Sequence, residues 1–480
     1  MVPRRRNRKR PPKPRRAAAA AGRRRPRRRR RSLDPAARAA RARTILLLSV
    51  LAVVNVYVFL VRDASSVAAF GALPVASIGR GTGVLGRYAE PRTTTCPRHP
   101  VRIFEGLTES IVTSTHVGPG RTLRLALLDA GVRGEDIAAL EAVMRTKVDV
   151  GGLAAMRRVV RIAADRTGGL AALEIEWGEG HLVQGCKREG AFEVRHVQQP
   201  ARTDVVAIGI EIGRSADLAE AFADAGESAE IVWALGPLLA YDLDVNTELR
   251  PGDRMQVLVE KRFLGSHFHR YGTVLAVRFV GALARFAYYR HVGADGLARF
   301  RDRNGVPHLR AFARTPVPYL FVSPLARPLL EPRIEVVDEV PGFVYRLPEG
   351  APVVAIGAGE VVGIGDHPRL GRVVVVEAED GTTVRYGHLA RNVETLEVGT
   401  FVEAGRLIGF AGHSGDAPAP RLRVELWRGR PEASEPMDPS ILLARRERRP
   451  PRIEEGLSDE AKRAFLEGVR PWSRALRRAG

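Results

Sequence analysis

The stretch RVVVVEAEDGTTVRYGHLA, residues 372–390, contains two apolar runs separated by a polar segment that ends in Gly381. Short apolar runs at close spacing, with glycine turns between them, are typical of antiparallel strands. The pattern extends on both sides, which predicts a compact, mostly antiparallel β domain over residues 313–443. Its predicted strands are Pro352–Ile356, Glu360–Ile364, Arg372–Glu377, Thr382–Tyr386, Arg406–Phe410 and Leu422–Leu426.

Upstream of this domain the sequence repeats itself once. Asp129-Ala130-Gly131 recurs as Asp224-Ala225-Gly226, and Val148-Asp149-Val150 recurs as Leu243-Asp244-Val245, both at an offset of 95 residues. Solenoid repeats have periods of about 20–50 residues, so this period is too long for a solenoid. We therefore predict two related small α+β domains, at residues 101–200 and 201–312.

The positive charge is concentrated in a tail. Residues 1–43 contain 20 Lys/Arg and one acidic residue, a net +19, which leaves only +3 of the total +22 for the other 437 residues. The folded part therefore lacks the charge of a nucleic-acid binder. The tail could bind polyanions only without sequence specificity, since it has no aromatic residue to stack on bases. We assign it to membrane topology and lipid contact.

An apolar segment follows the tail. Thr44–Val61 reads TILLLSVLAVVNVYVFLV and has no charged residue. As a helix, its eighteen residues would span roughly 27 Å, close to the ~30 Å hydrocarbon core of a bilayer. We expect an uncleaved transmembrane helix, with a cleaved signal peptide as the alternative. The basic tail would stay in the cytoplasm, and residues 62–480 would lie on the other side of the membrane.

The remaining segments connect or end these units. Residues 62–100 are rich in Gly, Pro, Ser and Thr and are expected to be a linker. The two cysteines, Cys96 and Cys186, exclude a disulfide-dense scaffold and a thiolate zinc site, and whether they pair is left open. Residues 444–480 form a C-terminal tail with a short predicted helix from Ser458 to about Gly468, which Pro471 would stop.

Four segments carry a family resemblance. GAPVVAIGAGEVVGIG (350–365), RVVVVEAEDGTTVRYGHLA (372–390), VGTFVEAGRLIGFAGHSG (398–415) and RLRVELWRGRPEASEPMDPSILL (421–443) follow one another in a consistent order and spacing. Together they closely resemble the core of the lysostaphin or LytM-type zinc endopeptidases, which cut peptide crosslinks in bacterial peptidoglycan. The resemblance implies the β fold of that family and a bacterial cell-envelope context.

Active members of that family bind zinc through an H-x-x-x-D motif and the second histidine of a later H-x-H motif. Zinc needs neutral imidazole and carboxylate ligands and one open position for water, whose pKa it lowers. Counted back from the turn Gly350-Ala351-Pro352, the first motif falls on Val340 and Val344. The second falls on Arg421 and Arg423, immediately before the expected strand Val424-Glu425-Leu426. Valine has no ligand atom and a guanidinium has no available lone pair, so the resemblance implies a degenerate site without metal.

Only His388, in Tyr386-Gly387-His388-Leu389, matches a family active-site residue. It is either a remnant catalytic histidine or a turn histidine held by its neighbours. We expect Arg421, Arg423, His388 and Glu425 to line a groove suited to acidic ligands, because a guanidinium holds a carboxylate through two parallel hydrogen bonds. No catalytic residue is expected.

Other polar residues offer weaker candidates for a metal site. A shifted register would have to use Glu335, Asp338 or Glu339 upstream, or the loop residues Asp366, His367 and His413, and no spacing among them gives three convergent ligands. His267 and His269 copy the H-x-H spacing, but they fall at a predicted hairpin without a carboxylate near in sequence. We interpret them as a solvent-exposed turn.

The sequence thus predicts a membrane-anchored envelope protein with an inactive endopeptidase-like domain. Its expected partners are peptidoglycan or a cell-wall hydrolase, and no cofactor is expected. One alternative is an active zinc-dependent peptidoglycan endopeptidase with substituted ligands. The other is a structural envelope protein that binds through its duplicated α+β domains.

Overall fold

A computed structural model describes residues 102–107, 110–293, 296–308, 312–320, 322, 326–431, 433–443 and 457–479, all within one compact unit that spans Gly81–Gly480. The basic tail, the apolar segment Thr44–Val61 and the linker lie outside these residues. Among the helices that are described, none is both long and apolar enough to cross a membrane.

The first sheet has five antiparallel strands in the order β1-β2-β3-β4-β5. Three helices lie between β1 and β2 in the chain, and their apolar faces share one core with the sheet. The elements are β1 (Ser110–Val117), α1 (Leu123–Asp129), α2 (Gly134–Lys147), α3 (Val150–Ala155), β2 (Arg158–Asp165), β3 (Leu170–Gly178), β4 (His181–Arg188) and β5 (Ala191–Gln198). Cys186 on β4 is disulfide-bonded, and the sequence has only one other cysteine, Cys96, which lies outside the described residues.

The second sheet repeats this arrangement, with strands in the order β10-β9-β8-β7-β6. Two helices again follow the first strand of the unit. The elements are β6 (Ala201–Glu211), α4 (Leu218–Asp224), α5 (Ile231–Leu239), β7 (Arg254–Leu264), β8 (His267–Val280), β9 (Arg285–Val292) and β10 (Ala298–Asp302). The helices α1 and α4 begin 95 residues apart, which is the offset of the sequence repeat.

The repeated Asp-Ala-Gly segments end these two helices. Gly131 and Gly226 have φ angles of 79° and 75°, a left-handed conformation that glycine adopts without steric cost. After α1, the amides of Gly131 and Val132 donate to the carbonyls of Leu128 and Leu127, which satisfies two carbonyls that a helix end leaves open. The duplicated segment is therefore a helix C-cap.

The third sheet contains ten strands and forms the β domain that the sequence predicts. Its main path runs β11-β12-β19-β16-β15-β14-β17, with β13, β18 and β20 attached to it. The strands are β11 (Arg333–Val337), β12 (Val340–Arg346), β13 (Pro352–Val354), β14 (Gly359–His367), β15 (Gly371–Glu377), β16 (Thr382–Asn392), β17 (Phe401–Val402), β18 (Leu407–Ala411), β19 (Arg421–Arg428) and β20 (Pro436–Met437). Short 3-10 helices span Arg327–Leu330 and Pro439–Leu443. All six predicted strands are present, with bounds shifted by a few residues.

The C-terminal helix α6 (Asp459–Arg478) is longer than predicted. Pro471 lies inside it and does not stop it. Phe465 and Val469 before the proline, and Leu476 after it, are all buried against the second sheet. Packing on both sides of Pro471 outweighs the one intrahelical hydrogen bond that proline removes.

A buried polar cluster joins the first two domains. Glu174 on β3 is 1% exposed and lies 3.1 Å from His269 Nε2 on β8, while Gln184 Nε2 donates to it at 2.8 Å. Arg161 bridges the carboxylates of Glu174 and Glu230, at 3.6 and 3.4 Å. The predicted solvent-exposed turn is therefore wrong for His269, which is 5% exposed, because its partner comes from the other domain. His267 is exposed as predicted.

The charge of Glu174 should make this contact sensitive to acid. Burial alone would raise the pKa of Glu174, but His269, Arg161 and Gln184 together lower it to about 2 from 4.5. A lowered folded-state pKa gives stability that is present above the unfolded pKa and is lost as pH falls from about 4.5 to about 2. We expect Glu174→Gln to remove most of this acid dependence, about 3 kcal/mol in the free energy of unfolding.

The measurement is the free energy of unfolding between pH 7 and pH 2 for the wild type, Glu174→Gln and a control. Glu193→Gln is a matched control, because the pair of Glu193 with Arg188 is exposed and such pairs contribute about 0–1 kcal/mol. Equal acid dependence in the wild type and Glu174→Gln would contradict the prediction.

Candidate functional site

The strand register brings the three degenerate positions together. Val344 on β12 is the direct cross-strand partner of Arg423 on β19. The side chain of Arg423 reaches back along the hairpin, where its Nη2 donates to the carbonyl of Val340 at 2.7 Å. Arg423, although distant in sequence, therefore lies against the strand that carries both Val340 and Val344.

The guanidinium of Arg423 lies against this strand. The residue is 1% exposed and all three of its nitrogens donate within the protein. Nε bonds Glu425 Oε1 at 2.6 Å, Nη1 bonds the carbonyl of Glu335 at 3.1 Å, and Nη2 bonds Val340. The guanidinium thus ties β19 to both strands of the β11–β12 hairpin.

Glu425 is the counterion of this arrangement. It is 1% exposed and lies two residues from Arg423 on the same face of β19. Its other oxygen accepts from Arg385 on β16, at 2.8 Å from Nε and 2.7 Å from Nη2. One buried carboxylate therefore holds two guanidinium groups, and Arg385 also lies 5.2 Å from the ring of Trp427.

Gly342, between the two valines, leaves the room that the guanidinium occupies. A Cβ added at this glycine would stand 2.9 Å from Arg423 Cζ and 3.1 Å from Glu425 Cγ. Contacts that short do not occur between real side chains, so any larger residue would displace the arginine. The glycine is required here because the arginine side chain packs directly against its backbone.

These residues do not fit a zinc ion. Arg423 places a guanidinium, which has only N–H donors and no available lone pair, where a metal ligand would have to offer a lone pair. The valines offer only hydrocarbon. In the part of the chain that the structure describes, no group of three or more His, Cys, Asp or Glu side chains is placed to hold a metal ion.

His388 lies beside this cluster and is held by main-chain bonds. Its φ of 63° is left-handed, its Nδ1 lies 2.9 Å from the carbonyl of Ser414, and its own amide donates to Leu370 at 2.7 Å. Burial, followed by the charges of Arg421 and Arg423, lowers the pKa of its imidazole, although the bond to Ser414 opposes this. His388 therefore favours its neutral form.

Arg421 is the more accessible of the two arginines. Its side chain is 17% exposed, and its Nη1 lies 3.3 Å from Glu335 Oε2, whose side chain is 43% exposed. Its Nε is buried and has no hydrogen-bond partner among the described residues. Of the two arginines, only Arg421 is placed at the rim.

A comparison with known protein families identifies the domain that contains this cluster. Residues 339–439 match Peptidase family M23. The C-terminal β domain is a peptidase family M23 domain. The matched segment starts one residue before Val340 and therefore includes both degenerate positions on β12, as well as β19 with Arg421 and Arg423.

The chain is also similar to proteins from Vibrio cholerae. The chain is 28% identical over 312 residues to the peptidoglycan DD-endopeptidase ShyA, covering 63% of this chain and 71% of ShyA. It is 32% identical over 198 residues to the peptidoglycan DD-endopeptidase ShyB, covering 39% of this chain and 44% of ShyB. The chain thus spans less than half the length of ShyB.

Solved structures are also similar. A zinc containing peptidase from Vibrio cholerae is 24% identical, with 68% of this chain and 98% of that chain covered and a TM-score of 0.22. The catalytic domain of lysostaphin from Staphylococcus simulans is 28% identical, with 22% and 78% covered and a TM-score of 0.20. TM-scores this low carry no argument about site geometry.

Within the M23 domain, the expected groove residues divide into two groups. Arg421 lies at the rim, whereas Arg423 and Glu425 do not line a groove, because they are buried and bind each other. His388 is also largely buried, at 7% exposure. The interior ion pair was missed because the sequence gives the charges of Arg385, Arg423 and Glu425 but not their distances.

The residues of a shifted register stay apart in the M23 domain. Asp338 pairs with Arg369, and His413 Nδ1 lies 3.2 Å from Glu349. His367 Nδ1 accepts from the amides of Arg369 and Leu370, at 3.2 and 3.1 Å. Asp338 and His367 both contact Arg369, but no three of these groups are placed together to hold a metal ion among the described residues.

The role of Arg423 as a tie between strands predicts its effect on stability. Arg423→Ala removes the donor from two carbonyls and from Glu425, which keeps only Arg385. We expect the free energy of unfolding to fall by about 3 kcal/mol, the cost of breaking a buried ion pair. Arg421→Ala, which removes a partly exposed pair, should cost less than about 1 kcal/mol.

Denaturant unfolding of the full chain, followed through the M23 domain, gives both values. Two equal losses, or a loss below about 1 kcal/mol for Arg423→Ala, would contradict the assignment.

Proposed function

We propose that this protein is a non-catalytic cell-envelope factor that binds peptidoglycan or regulates a cell-wall hydrolase. The relatives ShyA and ShyB are peptidoglycan DD-endopeptidases, which gives the envelope context. The observation that carries the proposal is the buried guanidinium of Arg423. It stands where the M23 resemblance requires a zinc ligand, and it is already paired with the buried carboxylate of Glu425.

The position of Arg421 at the rim of the same cluster suggests the class of ligand, a carboxylate. The side chain of Arg421 is 17% exposed, and its Nη1 lies 3.3 Å from Glu335 Oε2. A carboxylate from a peptidoglycan stem peptide, or from an acidic segment of a hydrolase, could compete with Glu335 for this arginine through two parallel hydrogen bonds. Anchoring through Thr44–Val61 would keep the domain in the periplasm, beside the cell wall.

A second candidate is an active zinc endopeptidase with substituted ligands. The names of the relatives favour it, because ShyA, ShyB and ShyC are all DD-endopeptidases. A third candidate is a structural envelope protein that binds through its duplicated α+β domains. The buried contact of Glu174 with His269 joins those two domains but does not indicate a ligand.

Zinc content and muropeptide release separate the first two candidates. The full chain is purified without chelator and incubated with peptidoglycan sacculi. We expect far less than one equivalent of zinc and no released peptides. Stoichiometric zinc together with cleavage would overturn the proposal in favour of the active enzyme.

The same assay on a triple variant tests the register on which the proposal depends. Val340→His, Val344→Asp and Arg423→His together would place two imidazoles and one carboxylate around the point now filled by the guanidinium. Because three such ligands with one open position make a zinc site, we expect about one equivalent of bound zinc. The control Val340→His/Val344→Asp keeps Arg423 and should bind none.

If the triple variant folds, as its cooperative unfolding would show, and still binds no zinc, the three positions are not the remains of a metal site. The zinc result does not require the variant to be active, so it is independent of any cleavage.

The proposed ligand contact gives a further prediction. Arg421→Ala should weaken binding of the full chain to purified sacculi by about tenfold, the cost of about 1.4 kcal/mol expected for one lost charge-assisted hydrogen bond. Arg428→Ala is a matched control, since Arg428 is an exposed arginine at the other end of β19. Equal binding by both variants would direct attention to residues 101–312 instead.

A further inference from the structure

The strand β11 forms one edge of the third sheet. It pairs with β12 alone, and no other described strand lies against its outer side. Two of its side chains are large, apolar and exposed: Ile334 at 50% and Val336 at 66%. Exposed apolar residues on an unpaired strand edge are a template for pairing with another strand.

The hairpin turn fixes which backbone groups face outward. Asp338 and Glu339 both have positive φ, 52° and 67°, as in a two-residue type I′ turn closed by Val337 and Val340. The closing pair of such a hairpin is hydrogen-bonded, and hydrogen-bonded pairs alternate along an antiparallel ladder. Arg333, Glu335 and Val337 therefore bond to β12, while the amides and carbonyls of Ile334 and Val336 point away from it.

Two independent features agree with this alternation. Pro341, opposite Val336, has no N–H and fits a pair without ladder hydrogen bonds. The carbonyl of Glu335 accepts from Arg423 Nη1 at 3.1 Å, so it faces inward.

The outward amides and carbonyls of β11 are complementary to those of a second copy of the same strand. When β11 is rotated about a two-fold axis through Glu335, Ile334 faces Val336 of the second copy and Val336 faces Ile334. Ile334 and Val336 of both copies have outward amides and carbonyls. This register therefore makes two hydrogen-bonded pairs, which use the outward groups of all four residues. Their four apolar side chains fall on one face of the joined sheets, next to each other.

Charge also permits this register. The axis brings two copies of Glu335 opposite each other, and like charges at such a position are destabilising. Each Glu335 carboxylate already lies 3.3 Å from Arg421 of its own chain, which offsets the repulsion. Arg333 would face Val337 of the second copy, so no two arginines meet.

We propose that β11 is a homodimer interface, in which two copies of this chain join their third sheets edge to edge with the two-fold axis at Glu335. A single strand pair buries less than the ~1,200 Å² of a standard stable interface, so the dimer is weak at low concentration. Two chains in one membrane meet at a much higher effective concentration.

Cysteine crosslinking of the full chain in the membranes of expressing cells tests the register. At Glu335 the two Cα atoms would be about 4.5 Å apart, a distance that a disulfide can bridge. At Arg333 they would be about 14 Å apart, which is too far. After mild oxidation, we expect Glu335→Cys to give at least about ten times more disulfide-linked dimer than Arg333→Cys.

The apolar residues are tested in the Glu335→Cys background. Adding Ile334→Lys and Val336→Lys should reduce the dimer to the level of Arg333→Cys. The matched control adds Val398→Lys and Phe401→Lys, an exposed apolar pair of 62% and 58% away from β11, and should leave the dimer unchanged.

Thermal unfolding of each variant verifies that it folds. Equal crosslinking at positions 333 and 335, no dimer from folded Glu335→Cys, or an equal loss in both lysine variants would each overturn the interface.

Discussion

The third sheet depends on one buried carboxylate. Glu425 binds Arg385 on the neighbouring strand and Arg423 on its own strand, and Arg423 then holds the carbonyls of the β11–β12 hairpin. Removing a charge from such a set would leave its partners buried without compensation. The hairpin is therefore held to the rest of the sheet through this buried set of one carboxylate and two guanidinium groups.

Much of the M23 domain could be read from sequence because its signals are local. Apolar runs and glycine turns located the strands. The distance from Gly350 located the positions of Val340 and Val344, and the strand that follows Arg423 located the position of Arg423, which the structure places against the strand of the two valines. Each of these inferences depends on residues that are close in the chain.

The inferences that failed depend on contacts between distant residues. His269 seemed exposed because no carboxylate lies near it in sequence, and its partner Glu174 is in the preceding domain. Pro471 breaks an isolated helix, but Phe465 and Leu476 hold α6 on the second sheet. Arg423 was expected to face a ligand. Instead it bonds the carbonyls of Glu335 and Val340, which belong to a hairpin that the sequence pattern did not predict.

The shared carboxylate also limits how this domain can change over evolutionary time. A single mutation of Arg423 to histidine would leave two hairpin carbonyls without their donor and would still lack the other two ligands. A substitution at position 423 thus costs stability whatever new chemistry the side chain offers, because two carbonyls and one carboxylate lose a donor. The buried contacts of Arg423 therefore restrict which residues this position can accept during evolution.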